Sequence, residues 1–399
     1  MRIAFLTTEF VSEPDFAGGL ANYLFRISLA LKEAGNEPVI FVRSGSNERI
    51  EYSCITVFRT RPVPSLWIRV LDRLFNKKLS GPLGDIATSR ALWKRVLEVH
   101  AQNPFDIVQA ASYGATNLCA HAAIPSVVRI SSFEPLWRKA YDVPPKPARI
   151  INEFLEIRAM RKARAMFAPS SFLAQHVSRR LRKPVSVIEP PFVSDVKSED
   201  ASFFQKHLGK KEYALFFGTI GRLKGCAVIA DMLEPLLAHY TDLYFVFIGI
   251  TEKFRGKLMT DYIISKTANV SDRVLFLPPA RHEKLYPVIR NARVAVLPSL
   301  VDNLPNTCIE SMALGQIVIG TRGTSFEQLI DHGKSGFLCR PGDSADLRAS
   351  LTSALDLSKT KRLEMTMAAQ LRIKRMEPGK IVQETIDFYE RAIENHRTK

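Results

Sequence analysis

Short apolar runs alternate with amphipathic stretches along the whole chain. The runs at 2–6, 38–42 and 213–217 are rich in branched and aromatic side chains, as is typical of buried strands. The stretch 20–34 carries apolar residues at helical spacing, and similar stretches separate the later runs. Strands that alternate with helices predict parallel sheets covered by helices on both faces. The fold class is therefore expected to be α/β.

The predicted strands fall into two series. The amino-terminal series continues with further runs at 106–109, 126–130, 165–168 and 185–188. The second series continues at 243–248, 273–277, 293–297 and 316–320. A stretch with prolines and charges but no periodicity lies between them, so we predict a linker at 193–204. This divides the chain into a Rossmann-like domain at 1–192 and a second at 205–375, followed by a helical segment at 376–399.

The stretch 297–327 contains the most informative pattern. It predicts a strand, a loop with Asp302, a helix from 307 to 314 that carries Glu310, a second strand and a glycine turn. Open α/β sheets bind ligands at the carboxyl ends of their strands, and free amides at a helix start favour an anion. A nucleotide sugar matches this set, since it offers a diphosphate to the amides and hydroxyl groups to the carboxylates.

A second turn, at 218–225, adds positive charge. It contains Gly218, Thr219, Arg222 and Lys224. Glycines let the backbone approach a ligand, and the two cations can neutralise a diphosphate. The turn is not a P-loop, because no Gly-Lys-Ser/Thr sequence closes it. The alternative for Lys224 is an ordinary solvated lysine.

These motifs resemble the donor-site signature of family 4 retaining glycosyltransferases. The matching residues are Asp302, Glu310, Ser311, Met312, Ala313, Gly315, Val318, Ile319, Gly323 and Glu327. The resemblance implies the GT-B fold, in which two Rossmann-like domains face each other across a cleft and the last helix, within 376–399, packs back on the first domain. It also implies retaining transfer of a sugar from a nucleotide diphosphate, with Asp302 near the sugar and Glu310 holding the ribose.

The resemblance further implies which residues form the site. We expect Asp302, Glu310, Lys224 and Arg222 to act in catalysis. Donor binding is expected at Gly18, Gly19, Gly218, Thr219, Ala280, Arg281, Asn303, Leu304, Pro305, Asn306 and Thr307. The chain departs from the family pattern at three places: Asp302 replaces a glutamate, Thr219 an arginine and Ser131 a histidine. These departures bear on sugar preference and on part of the catalytic surface.

Several alternatives stay open at this point. Thr307 and Glu310 also fit a helix capping box, in which Glu310 only satisfies backbone donors. The chain could bind a nucleotide sugar without turning it over. The departures from the family pattern at Thr219 and Ser131 would be consistent with such a loss of catalysis. A GT-B epimerase or a phosphorylase would keep the architecture and change the reaction.

Composition and charge narrow the partners. The chain has 399 residues, 46% of them hydrophobic, and a net charge of +16. A basic surface suits phosphate-bearing substrates or anionic lipid, and no aromatic-basic motif points to nucleic acid. The absence of an Asp-x-Asp sequence predicts that no metal is used, and no other cofactor is expected. The acceptor is expected to be a glycan, a lipid-linked sugar or a small molecule.

Location follows from two further features. The five cysteines are scattered, which favours a reducing cytoplasm. The stretch 64–80 places Trp67, Val70, Leu71, Leu74 and Phe75 on one helical face among basic residues. This face could lie on the inner side of the cytoplasmic membrane or line a lipid-linked acceptor site. The commoner alternative is that it packs on its own domain.

Overall fold

The structure is a computed structural model that describes residues 1–14, 19–141, 146–193 and 198–398. The chain divides into two compact units. Unit 1 comprises residues 1–192 together with 376–399, and unit 2 comprises residues 193–375. Each unit has its own main sheet.

Unit 1 is built on an eight-stranded sheet. The strands are β1 (Arg2–Thr7), β2 (Glu37–Arg43), β3 (Glu48–Tyr52), β4 (Ile55–Thr60), β5 (Ile107–Ala111), β6 (Ser126–Arg129), β7 (Ala165–Ala168) and β8 (Ser186–Val187). Their order is β3-β4-β2-β1-β5-β6-β7-β8, and every pair is parallel except β3 with β4. The helices between them are α1 (Gly19–Glu33), α2 (Leu66–Leu74), α3 (Ser80–Gln102), α4 (Glu134–Tyr141), α5 (Pro147–Lys162) and α6 (Ser171–Leu181).

Unit 2 is built on a six-stranded parallel sheet of order β13-β10-β9-β14-β15-β16. Its strands are β9 (Glu212–Phe217), β10 (Leu243–Ile248), β11 (Lys253–Phe254), β12 (Lys257–Leu258), β13 (Val274–Leu277), β14 (Val294–Val296), β15 (Val318–Thr321) and β16 (Phe337–Cys339), of which β11 and β12 form a separate hairpin. Its helices are α7 (Ser202–His207), α8 (Cys226–His239), α9 (Met259–Lys266), α10 (His282–Asn291), α11 (Asn306–Ala313), α12 (Phe326–Leu329), α13 (Ser344–Leu355) and α14 (Lys359–Lys374).

The last helix, α15 (Pro378–Arg397), belongs to unit 1. Its apolar face joins the core on one side of the sheet together with Ile3 and Phe5 of β1. The ring of Phe388 packs edge-on against Phe167 of β7, and Tyr389 donates a hydrogen bond to Gln109 of β5. The opposite side of the sheet is covered chiefly by α3, α5 and α6. Successive residues of β1 thus point into two different cores, as the pleat of a strand requires.

The α/β fold class is confirmed, since parallel sheets flanked by helices make up both units. All the predicted strands are present, and their ends differ from the prediction by at most two residues. The pattern did not reveal β3 and β4, whose antiparallel pairing extends the edge of the first sheet. Helix α7 begins at Ser202, inside the stretch predicted as a linker. Among the described residues, no helix combines the length and apolarity needed to cross a membrane.

Candidate functional site

A close ion pair joins the two motifs of unit 2. Lys224 lies in the turn after β9, and Asp302 lies in the loop after β14. The Lys224 Nζ atom is 2.5 Å from Asp302 Oδ2, where it donates a hydrogen bond. The Asp302 side chain is only 11% exposed and that of Lys224 34%. The pair therefore holds its charges in a partly desolvated place, where electrostatic effects are stronger than in water.

Backbone contacts hold the cationic turn against this loop. The Leu300 N–H donates to the Leu223 carbonyl at 2.8 Å. Gly225 has φ +78°, and a Cβ placed there would lie 2.1 Å from the carbonyl oxygen of Pro298. Only glycine allows the turn to come this close to the end of β14. The placement of Lys224 next to Asp302 thus depends on a backbone contact as well as on charge.

The first part of the turn lies beside the start of α11. Gly218 has φ +123°, and a Cβ built there would lie 3.8 Å from Thr307 Cγ2. Gly249, after β10, approaches even more closely, because its Cβ would lie 1.8 Å from the Gly218 carbonyl oxygen. The Gly218 N–H donates to the Ile248 carbonyl at 2.9 Å. Two glycine segments are thus packed backbone to backbone at the carboxyl edge of the sheet, next to the Thr307 side chain.

Helix α11 begins at Asn306, with Pro305 as its capping residue and no side-chain cap. The Cys308 and Ile309 N–H groups donate to the Pro305 carbonyl at 3.1 and 3.2 Å. Helix geometry gives the earlier Asn306 and Thr307 amides no acceptor within the helix, so they can serve an anion. The capping-box alternative is wrong, because Thr307 is inside the first turn of the helix.

Glu310 contacts a residue that the sequence analysis did not single out. The side chain of Glu310 is 8% exposed, and its Oε1 atom lies 3.6 Å from His282 Nε2. His282 is the first residue of α10 and stacks on Tyr286 with ring centres 5.4 Å apart. Two of the predicted donor-binding residues, half-buried Ala280 and exposed Arg281, come directly before it. The position of His282 next to Arg281 is the one signal that could have drawn attention to it.

The remaining loop residues surround Asp302. The Asn303 N–H donates to Asp302 Oδ1 at 3.0 Å, and Ser325 Oγ donates to the Asp302 carbonyl at 2.9 Å. Ser325 lies in the predicted glycine turn, but it was not predicted as a site residue. Leu304 and Pro305 of the same loop are buried.

The remaining predicted site residues are divided between the two units. Arg222 and Thr219 are half-buried in the same turn as Lys224. Gly19 is exposed at the start of α1 in unit 1, and Gly18 lies outside the described residues. The structure thus groups most of the predicted site in unit 2, and the glycine pair belongs to unit 1.

Two thiols near the site are packing groups. Burial raises the pKa of Cys226 and of Cys308, and for Cys308 the nearby Asp302 charge raises it further. Both cysteines therefore stay protonated and are poor nucleophiles at neutral pH. Among the described residues, no group of three or more His, Cys, Asp or Glu side chains is arranged to hold a metal ion.

In unit 1, serines stand where the family pattern has a histidine. The Ser131 N–H donates to Ser112 Oγ at 3.0 Å, and the Tyr113 N–H donates to Ser131 Oγ at 3.3 Å. These bonds tie the end of β6 to the end of β5. After the next strand, the Ser170 side chain accepts a hydrogen bond from the Leu173 N–H and so caps α6.

A buried carboxyl group lies close to this edge of unit 1. Burial first, and the charges of Asp85, Glu134 and Glu153 in addition, raise the pKa of Glu156 from 4.5 to about 8. A hydrogen bond from the Gly114 backbone offsets only part of this shift. Between about pH 4.5 and pH 8 folded Glu156 keeps a proton that the unfolded chain has lost. The free energy of unfolding therefore falls as the pH rises through this window.

The substitution Glu156→Gln should remove this pH dependence. We expect the variant and the wild type to be about equally stable at pH 5, and the variant to be more stable by roughly 2–4 kcal/mol at pH 8. Urea unfolding of both proteins at several pH values measures the difference between their unfolding free energies. The titrations of all other groups cancel in this difference. The exposed Glu98→Gln on α3 serves as control. A difference between Glu156→Gln and wild type that is constant with pH would contradict the burial of a protonated carboxyl.

Two family models match the chain. The model "Glycosyl transferases group 1" matches residues 198–372, and "Glycosyltransferase Family 4" matches residues 17–194. Similar proteins include the D-inositol 3-phosphate glycosyltransferase of Pseudarthrobacter chlorophenolicus, which is 23% identical over 95% of this chain and 92% of its own. The 2-deoxystreptamine N-acetyl-D-glucosaminyltransferase of Streptomyces fradiae is 24% identical over 98% of this chain and 93% of its own.

Solved structures show the same fold. Sucrose-phosphate synthase from Thermosynechococcus elongatus superposes with a TM-score of 0.75 at 18% identity, covering 98% of each chain. Anabaena Alr3699/HepE in complex with UDP-glucose superposes with a TM-score of 0.71 at 16% identity, covering 98% of this chain and 99% of that one. These likenesses establish the GT-B fold. The two family models together cover residues 17–194 and 198–372, and they show that the chain belongs to the group 1 and family 4 glycosyltransferases.

Proposed function

We propose that this glycosyltransferase transfers a sugar from a nucleotide diphosphate sugar to a hydroxyl group, with retention at the anomeric carbon and without a metal ion. The observation that carries the proposal is the grouping in unit 2 of the Lys224–Asp302 pair, the start of α11 and buried Glu310. The relatives add support, because one of the structures was determined with UDP-glucose.

The positive end of the site would take the diphosphate. Cleavage of the donor develops negative charge on the leaving phosphate, and preorganised donors stabilise that charge best where water is limited. Lys224 is held by Asp302 and by the glycine contacts of its turn, so it needs little reorganisation. The Asn306 and Thr307 amides supply further donors. Arg222, in the same turn, adds the charge that Thr219 does not provide.

The carboxylates would serve the hydroxyl groups of the donor. Glu310 can accept hydrogen bonds from the ribose. It contacts His282, which follows the predicted donor-binding residues Ala280 and Arg281, and we assign this segment to the nucleobase. Asp302 would face the transferred sugar from the loop after β14. Asp302 is one methylene shorter than the family's glutamate, so we expect the bound sugar to lie closer to this loop.

The reaction balances without a further reactant. The bond from the anomeric carbon to the diphosphate breaks, and a bond to the acceptor oxygen forms on the same face. The acceptor proton passes to the leaving phosphate oxygen, so no separate general base is required.

The acceptor is proposed as a glycan, a lipid-linked sugar or a small polyol, in the assembly of a surface polysaccharide or another glycoconjugate. Two relatives are named for the small cyclic acceptors D-inositol 3-phosphate and 2-deoxystreptamine. We propose that the protein works in the cytoplasm, which suits its five free cysteines.

Ligand-dependent thermal unfolding tests the donor assignment. UDP, GDP and their sugars are screened with and without EDTA. We expect one nucleotide series at about one hundred times its dissociation constant to raise the unfolding free energy by about 2.7 kcal/mol. EDTA should not change this shift. Lys224→Ala should lose it, and Lys266→Ala, which removes an exposed partner of Asp231 in unit 2, should keep it.

The same screen separates the alternative functions. If no nucleotide stabilises the protein, the proposed donor site is wrong. A stabilising donor sugar that is neither transferred nor hydrolysed would identify a binding protein without turnover. A changed sugar configuration in the recovered nucleotide sugar would identify an epimerase. Mass analysis detects transfer or hydrolysis, and NMR or chromatography detects epimerisation, because epimers have the same mass.

A further inference from the structure

Helix α2 in unit 1 presents an apolar face to solvent. None of its residues is buried. Leu66 is 68% exposed, Trp67 77% and Leu74 71%. Val63, Val70, Leu71 and Phe75 are exposed as well, and we call these seven residues the α2 face. The alternative that this stripe packs on its own domain is wrong.

The α2 face is the outward side of the helix. Ile68 and Asp72 are only half exposed, and Asp72 accepts a hydrogen bond from Ser80 Oγ at 2.7 Å at the start of α3. Helical spacing sets Ile68 and Asp72 on the side opposite Leu66, Val70 and Leu74. The helix is therefore attached by one side and offers the other side to a partner. Single exposed apolar residues are common, but a contiguous face of this kind marks an interaction site.

Positive charges border the α2 face. Arg69 and Arg73 lie along one side of it, and Lys77 and Lys78 follow its carboxyl end, all exposed. Asp72 is the one acidic residue between Val63 and Lys78, and it is hydrogen-bonded to Ser80. The charge of the whole chain is +16. An apolar strip with a tryptophan and basic borders matches a bilayer surface, which offers acyl chains beneath anionic headgroups.

We propose that the α2 face is a docking surface for an anionic lipid bilayer. Trp67, Leu71 and Leu74 enter the boundary between headgroups and acyl chains, and the four cations contact the headgroups. A second copy of the chain fits less well, because two such faces would bring eight cations together.

Vesicle flotation tests this surface with the full chain. The wild type should float with vesicles of phosphatidylglycerol and phosphatidylcholine, and at least about tenfold less with phosphatidylcholine alone. Replacing Arg69, Arg73, Lys77 and Lys78 by glutamine should lower the partition coefficient by roughly fivefold per charge at low salt. The triple variant Trp67→Ser, Leu71→Ser, Leu74→Ser should lower it by at least about one hundredfold.

A matched control comes from unit 2. Leu363, Met367 and Leu371 of α14 are each about as exposed as Leu66, at 61%, 60% and 61%, but include no aromatic residue. The triple serine variant of these residues should bind vesicles as the wild type does. A blue shift of tryptophan fluorescence on vesicle addition should disappear in Trp67→Phe, whose vesicle binding should be retained, because the tryptophans Trp93 and Trp137 lie elsewhere in the chain.

Three results would overturn the proposal. The first is a wild type that does not bind anionic vesicles. The second is binding that the α2 and α14 variants reduce equally. The third is a dimer in sedimentation analysis that dissociates in the α2 triple variant, which would assign the face to a second copy.

Discussion

Alanine at Lys224 or at Glu310 should lower sugar transfer by at least about 10³-fold while leaving the protein folded. Lys224 carries the charge that meets the leaving diphosphate, and its loss also leaves Asp302 without its cation at 2.5 Å. Glu310 is buried beside His282, so its loss removes a preorganised acceptor for the ribose. Initial rates with the stabilising donor, and the far-ultraviolet circular dichroism of each variant, measure the two parts of the prediction.

The controls separate catalysis from stability. Lys266→Ala breaks a 3.4 Å ion pair with Asp231 in the same unit, in which both side chains are about half exposed. Exposed pairs of this kind contribute little to stability, so its transfer rate should match the wild type. Transfer at the wild-type rate by either Lys224→Ala or Glu310→Ala would refute the proposed site. Unfolding of Lys224→Ala alone would instead assign the ion pair a structural role, and Glu310→Ala would then decide the catalytic question.

The second large effect is expected at Gly249, which is far from Lys224 in sequence. Gly249→Ala should lower the free energy of unfolding by roughly 2–4 kcal/mol and should weaken donor binding as well. Gly249 has φ +151°, and its new Cβ would lie 1.8 Å from the Gly218 carbonyl oxygen. The backbone must move, and that movement displaces Gly218 from its position beside Thr307. Urea unfolding and donor-dependent thermal shift measure the two effects.

Gly256→Ala provides the matched control. Gly256 also has a positive φ, +81°, but nothing lies within 4 Å of its missing Cβ. Gly256→Ala therefore measures the cost of placing alanine at a positive φ without a steric clash, which we expect to be about 1 kcal/mol of unfolding free energy. If Gly249→Ala cost no more than Gly256→Ala, the close packing of the two glycine segments would not support the site.

Local patterns account for much of what could be predicted. The runs that form β9, β10 and β14 are buried on both faces, so nearly every position is apolar and the strand is visible in the sequence. The helix at Asn306–Ala313 ends next to Gly315, whose φ of +75° favours glycine. Where one short motif contained strand, loop and helix together, the order of elements agreed with the structure.

Contacts between residues that are far apart in the sequence were harder to predict. Lys224 and Asp302 are 78 positions apart, and the family resemblance brought them into one site without giving their direct contact. The contact of His282 with Glu310 depends on how α10 meets α11, which no local periodicity encodes. Strand β3 is a short edge strand whose positions are mostly exposed and polar, and in β4 the apolar residues are interrupted by threonine and arginine. Neither strand therefore has the continuous apolar run that marks a strand buried on both faces. The solvent exposure of α2 could not be predicted either, because an amphipathic pattern does not show what the apolar face of a helix contacts.

The position of α15 has a consequence for biosynthesis. The core beside β1, β5 and β7 includes Phe388 and Tyr389, and these leave the ribosome only after all of unit 2 has been translated. Unit 2 can therefore fold while unit 1 still lacks α15, although domains generally fold in order from the amino terminus. Until α15 is synthesised, the apolar side of the unit 1 sheet that it covers would be exposed to solvent. We therefore expect chaperones to bind unit 1 during synthesis.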